Sequence, residues 1–136
     1  MVEAMPPIVI EESGDIEVYP TVETARRAIE AIDVLDGIYK AFDSDGRSLL
    51  LVAYGNLVSI EVPENPQPDP AGLERRLREY IVAVGPSRVG VANLEDATLP
   101  VMLGALLKFQ RGGKPERRKR WPLAELSRRF RRARPD

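Results

Sequence analysis

Neither histidine nor cysteine occurs among the 136 residues of this chain. Without cysteine, the protein can form no disulfide, no thiolate nucleophile and no zinc site built on sulfur, a composition that fits a reducing compartment. Without histidine, it can form no Ser-His-Asp or Cys-His triad, and it lacks the side chain that ordinarily exchanges protons near neutral pH. We therefore expect a protein that is not an enzyme and that needs no cofactor.

Long apolar runs are lacking as well. No stretch approaches the ~18 apolar residues that are needed to cross a bilayer. The first seven residues carry Glu3 and no cation, which is unlike a secretory signal. The sequence therefore predicts a soluble, cytoplasmic protein, and its length is that of one ordinary domain.

Charge is distributed unevenly along the chain, although the net charge is only −1. Residues 1–100 contain 18 acidic and 8 basic side chains, a balance of −10, whereas residues 101–136 contain 3 acidic and 12 basic side chains, a balance of +9. Such segregation indicates contacts with charged partners or between the two parts of the chain. We divide the sequence into a domain at 1–110 and a basic C-terminal segment at 111–136.

The hydrophobic pattern predicts an α+β fold. Alternating residues and turn signals indicate an N-terminal hairpin at 8–19 and a three-stranded antiparallel meander at 38–62. Two amphipathic helices, at 22–32 and 71–84, should pack on this sheet. A short strand at 89–92, a helix at 99–110 and a basic helix from Trp121 onward should follow. Eight apolar residues are predicted to be buried together: Ile29, Ile32, Leu50, Val52, Ile60, Leu73, Leu77 and Ile81.

Six carboxylates in and near the N-terminal hairpin form a candidate functional surface. They could be an ordinary solvated face, an acid–base pair in a desolvated cleft, or a surface that attracts a basic partner. We predict the third role, partner binding, for this set: Glu11, Glu12, Asp15, Glu17, Asp33 and Asp36.

The segment Asp43-Ser44-Asp45-Gly46 resembles the start of a calcium-binding loop. Such a loop needs a bidentate glutamate at its twelfth position, where this sequence has Tyr54. A tight turn explains the same residues, because aspartate and glycine tolerate the backbone angles that turns require. We therefore predict a turn between two strands and no metal site.

The basic C-terminal segment is a second candidate site. It could bind nucleic acid or an anionic membrane, bind another protein, dock on the acidic part of its own chain, or lack structure. Aromatic residues between cations can stack on bases, which favours polyanion binding as the alternative function. The residues for this alternative are Arg117, Arg118, Lys119, Arg120, Trp121, Arg128, Arg129, Arg131 and Arg132.

The region from Ile8 to about Val62 resembles small bacterial immunity-type proteins of polymorphic-toxin systems. The resemblance lies in the stretch IEESGDIEVYPTVETARRAIEAIDVLDGIYKAFDSDGR at residues 10–47. It implies a cytoplasmic inhibitor that blocks a cognate toxin by tight binding. We expect a protein-binding inhibitor that neutralises a basic partner such as a toxin. Polyanion binding by the C-terminal segment is the alternative function, and a carboxylate-based hydrolase is a third hypothesis.

Overall fold

A five-stranded antiparallel sheet forms the centre of the computed structural model, which describes residues 3–111. The strand order is β2-β1-β3-β4-β5, so the N-terminal hairpin joins the meander through the pairing of β1 with β3. This arrangement confirms the predicted α+β fold. The elements are β1 (Ile8–Glu12), β2 (Asp15–Tyr19), α1 (Val22–Ala28), α2 (Ala31–Leu35), β3 (Tyr39–Phe42), β4 (Ser48–Tyr54), β5 (Leu57–Glu61), α3 (Pro70–Val84), α4 (Pro86–Val89), a 3-10 turn (Leu94–Asp96) and α5 (Leu99–Arg111).

Two hydrophobic cores lie on opposite sides of the sheet, because successive side chains of a strand point to opposite faces. On one side, which we call the α3 face, Val9, Val18 and Phe42 pack with residues of α3 and α5. On the other side, the α1 face, Ile8, Ile10 and their strand neighbours pack against α1 and α2. The sheet is therefore the middle layer between two sets of helices.

The predicted single core was wrong, since five of its eight residues divide between these two cores and the other three lie in neither. Leu73, Leu77 and Ile81 lie in the core of the α3 face, whereas Ile29 lies in that of the α1 face, with Ile60 partly buried against it. Ile32 and Leu50 are 53% and 49% exposed. The prediction correctly placed apolar residues on strands and helices, but the spacing along one strand does not tell which of the two faces a helix will cover.

The predicted helix 22–32 is interrupted. Thr21 caps α1 by accepting a hydrogen bond from the backbone N–H of Thr24 at 3.0 Å. The helix ends at Ala28, and Ile29 is extended, with φ −108° and ψ 149°. Glu30 is extended too, and α2 begins at the next residue. Ile29 is a β-branched residue, buried to 7% exposure, and the extended backbone that such residues favour separates the two short helices.

The later part of the domain follows its capping signals. Asp69 accepts a hydrogen bond from the N–H of Gly72 at 3.0 Å, and Pro70 begins α3. The strand predicted at 89–92 is wrong, because Pro86–Val89 is a short helix that ends where Gly90 is left-handed, with φ 93°. The predicted helix at 99–110 is confirmed as α5. Among residues 3–111, no helix is long and apolar enough to span a membrane.

Candidate protein-binding surface

The six carboxylates predicted as one acidic surface are separated by the sheet. Glu12 and Asp33 are buried, at 6% and 1% exposure, so neither presents its carboxylate on an open surface. Glu12 lies opposite Asp15 in the hairpin and opposite Tyr39 of β3. The Tyr39 hydroxyl donates a hydrogen bond to Asp33 at 3.2 Å, so this cluster is part of the packing on the α1 face.

Glu11 points to the other face of the sheet, because it precedes Glu12 in the same strand. It forms an ion pair with Arg76 of α3, and the Arg76 guanidinium lies 4.7 Å from the ring centroid of Phe42. Glu17 accepts a hydrogen bond from the Tyr19 hydroxyl at 2.9 Å. Asp36, at the end of α2, is exposed. The six predicted residues therefore do not form one continuous surface, and several of them make contacts that stabilise the fold.

The turn between β3 and β4 uses its own carboxylate. Asp43 accepts hydrogen bonds from the N–H groups of Asp45 and Arg47, both at 3.0 Å, and from that of Met5 at 3.2 Å. Its Oδ2 also lies 2.7 Å from the Arg47 guanidinium. This buried network accounts for the motif as a turn. Within residues 3–111, no group of three or more acidic residues is arranged to hold a metal ion.

The β4–β5 hairpin carries an apolar surface that sequence reasoning did not single out. On the α3 face of the sheet, the register places Leu50 opposite Glu61, Val52 opposite Ser59, and Tyr54 opposite Leu57. Leu50, Tyr54 and Leu57 are 49%, 59% and 66% exposed. We call this six-residue surface the hairpin face. Its signal in the sequence is the apolar run Leu49–Val52, which lies on β4.

The hairpin face is open because the helices of that side lie over the other strands. The core of the α3 face includes Val9 of β1, Val18 of β2 and Phe42 of β3, but no residue of β4 or β5. On the α1 face, the same hairpin is covered, since Val58 is buried with α1 residues and Leu51 packs against that core. One side of β4 and β5 is therefore structural, and the other is accessible within the described residues.

The two edge strands of the sheet, β2 and β5, also differ in whether their outer edge is covered. At the β2 edge, the Gln110 side chain accepts a hydrogen bond from the N–H of Val18 at 2.7 Å and donates one to the carbonyl of Ile16 at 2.8 Å. The amide thus takes the place of a neighbouring strand. In the part of the chain that is described, β5 pairs with β4 alone, so its outer edge resembles those that accept an added strand.

Exposed carboxylates lie at one end of the hairpin face. Glu61 ends β5 on this face, where its Oε2 accepts a hydrogen bond from Ser59 at 2.9 Å. Glu64 follows in the connector and is exposed, as is Asp45 in the turn that precedes β4. The connector returns to this turn, because the N–H of Asp69 donates to the carbonyl of Asp45 at 3.1 Å. The open apolar surface therefore has an acidic rim.

The whole domain shares this negative charge. Residues 3–111 contain 18 acidic and 10 basic side chains, a balance of −8, whereas residues 112–136 contain 3 acidic and 10 basic, a balance of +7. The residues of the polyanion-binding alternative, from Arg117 to Arg132, and the basic helix expected from Trp121 onward lie outside the described residues.

Comparison of the chain with protein-family models, with curated proteins and with solved structures found no match in any of the three.

Proposed function

We propose that this protein is a non-catalytic inhibitor of the immunity type, which binds and neutralises a basic partner protein through the hairpin face. The observation that carries the proposal is the open apolar surface of Leu50, Tyr54 and Leu57 beside exposed carboxylates. A contiguous exposed apolar patch with a polar rim is characteristic of protein interaction sites. The proposal keeps the expected class of function but moves the site from the N-terminal hairpin to the β4–β5 hairpin.

The geometry offers two kinds of contact to such a partner. The unpaired edge of β5 can hydrogen-bond to an extended segment, which supplies affinity through the main chain. The side chains of the hairpin face supply apolar burial, with Tyr54 as the large amphipathic residue that interfaces favour. Both contacts lie on the same hairpin, so one partner can use them together.

Charge supplies the preference for a basic partner. The balance of −8 over residues 3–111 attracts a positively charged protein over a distance of about one Debye length, ~8–10 Å at physiological salt. A toxin that acts on nucleic acid has a basic active site and would suit this surface. The N-terminal resemblance to immunity-type proteins points to the same class of partner.

The non-catalytic part of the proposal rests on the available chemistry. The chain has no histidine or cysteine, and two of its more enclosed carboxylates are used by the fold. Glu11 is paired with Arg76, and Asp43 is paired with Arg47 inside a turn. Such pairing uses these two carboxylates to hold elements of the fold together.

The test begins with the product of the neighbouring gene as the candidate partner. Association and dissociation rates would be measured by surface plasmon resonance for the wild type and for Leu57→Asp. We expect Leu57→Asp to raise the dissociation rate at least about tenfold, because a charge replaces a buried apolar contact. A matched control is Leu35→Asp, which changes a residue 72% exposed on α2, on the opposite side of the sheet.

The electrostatic part is tested separately. Glu61→Lys combined with Glu64→Lys should slow association and make it less dependent on salt, while the dissociation rate changes less. If Leu57→Asp and Leu35→Asp bind the partner equally well, the hairpin face is not the recognition site.

The basic segment supports the second candidate function, polyanion binding, through its 10 lysines and arginines in residues 112–136. If it contacts the phosphates of duplex DNA, log affinity should fall with log salt by a slope of about −0.9 for each neutralised phosphate. Replacing Arg128, Arg129, Arg131 and Arg132 by alanine should then weaken binding and reduce the slope. DNA binding that is unchanged by these replacements would eliminate this candidate.

A further inference from the structure

We infer that the hairpin face is the docking site of the chain's own C-terminal segment, residues 112–136. Four observations support this occupant: where the described chain ends, the length of chain that follows, the charges of the two parts, and the apolar pattern of the segment. The consequence for the partner rests on the proposed function, but the docking itself does not.

The described chain ends on the correct side of the sheet. Helix α5 packs on the α3 face, and its last turn lies at the β2 edge, where Gln110 bonds to Ile16 and Val18. The hairpin face lies on the same side, three strand positions away at β4 and four at β5, with α3 over the strands between them. At about 4.8 Å between neighbouring strands, this separation is roughly 14–19 Å, and the chain must also pass α3.

The following chain is long enough to cover this distance. Residues 112–120 can extend over roughly 30 Å, at about 3.3 Å for each residue. The segment from Trp121 onward can therefore lie over β4 and β5, next to α3. In that position it completes the layer of helices that α5 and α3 begin on this side of the sheet.

The segment also matches the surface chemically. Leu123, Leu126 and Phe130 follow the i, i+3, i+7 spacing of one helix face, which suits a flat apolar surface. Its balance of +7 complements the −8 of the domain. The arginines between its apolar residues would meet the exposed carboxylates at the rim, Glu61 and Glu64.

Docking of this segment would regulate partner binding, given the proposed function. A tethered segment acts at an effective concentration in the millimolar range, so even a weak contact keeps the surface occupied. The partner's apparent affinity is then reduced by the fraction of molecules whose surface is covered. A toxin that binds must displace the segment, and a chain with a weakened segment should bind it more tightly.

Trp121 provides the test, because it is the only tryptophan in the chain. The full-length protein is examined alone, by tryptophan emission wavelength and acrylamide quenching. If the segment docks, Trp121 should emit at shorter wavelength and be quenched less than in the chain unfolded by denaturant. Leu57→Asp should shift both values toward those of the unfolded chain, whereas Leu35→Asp should leave them unchanged. Circular dichroism and the denaturation midpoint verify that both variants fold.

Two results would overturn the inference. The first is that the emission wavelength and the quenching of Trp121 in the wild type equal those of the unfolded chain. An equal response of both values to Leu57→Asp and Leu35→Asp would count in the same way. The second is a signal that disappears on dilution, which would assign the contact to a second copy of the chain. Since no partner is present, failure here leaves the proposed function to its own binding test.

Discussion

The two sides of the sheet at its edge strands, which we call the β2 end and the β5 end, differ in how far other elements cover them. At the β2 end, α5 covers Ile16 and Val18, and the Gln110 side chain occupies the free edge of the strand. At the β5 end, only the α1 face is covered, and both the opposite face and the strand edge are open within residues 3–111. An open edge and an open apolar face are hazards for aggregation, which proteins normally block. Their joint occurrence on one hairpin is the reason why we propose this surface as the binding site.

The same comparison separates the two groups of acidic residues. Near the β2 end, Glu11 pairs with Arg76, and Glu12 is buried. Near the β5 end, Glu61 on the hairpin face and Glu64 in the connector that follows it are exposed. The density of carboxylates in the sequence is highest in the N-terminal hairpin, but two of the carboxylates there, Glu11 and Glu12, are ion-paired or buried. A cluster of charges in a sequence therefore does not by itself show that the charges form one accessible surface.

The largest expected difference between the two ends concerns core packing. Leu77 of α3 is fully buried in the core of the α3 face, whereas Leu57 of β5 is 66% exposed. Leu77→Ala should lower the free energy of unfolding by about 2–5 kcal/mol, because it removes buried methyl groups and leaves a cavity. Leu57→Ala should lower it by less, at most about 1 kcal/mol, because the described fold leaves Leu57 largely exposed and only the proposed docking of residues 112–136 would cover it. Urea denaturation measures both, and equal effects would contradict the contrast between the two ends.

A smaller effect is expected at the blocked edge. Gln110→Ala removes both hydrogen bonds to β2 and should lower the free energy of unfolding by about 1–2 kcal/mol. It should also give the sheet a second open edge, which sedimentation would detect as increased self-association. Gln67→Ala, in the exposed connector, is the matched control and should change neither measurement. A variant at Gln110 with wild-type stability would show that the amide does not substitute for a strand.

The smallest effect concerns the carboxylates. Glu11→Gln weakens a half-buried ion pair with Arg76 and should lower the free energy of unfolding by about 1 kcal/mol. Glu61→Gln changes an exposed side chain at the rim of the hairpin face and should stay within about 0.5 kcal/mol of the wild type. Thermal denaturation at low and at moderate salt compares the two variants. The distinction between structural and accessible carboxylates fails if Glu61→Gln is the more destabilising change.

Local signals in the sequence determined most of the secondary structure. Thr21 and Asp69-Pro70 begin helices, and Gly55-Asn56 makes a two-residue turn, because each of these residue types satisfies or permits a particular backbone geometry on its own. The alternation of apolar residues likewise indicated the strands, and with them the antiparallel sheet. These properties depend on neighbours within a few residues, which a sequence displays directly.

Tertiary structure alone decided which of these elements cover one another, and thereby the site. The Gln110 amide meets Ile16 and Val18 from positions 94 and 92 residues away along the chain. Leu50 lies in a continuous apolar run, as a core residue would, yet it is half exposed because α3 and α5 pack over other strands. Periodicity shows that a residue lies on the apolar side of its strand or helix. Its exposure depends on whether another element packs against that side. Whether another element packs there is decided by segments that are distant in the sequence, because folding gains free energy when such segments bury their apolar surfaces against each other.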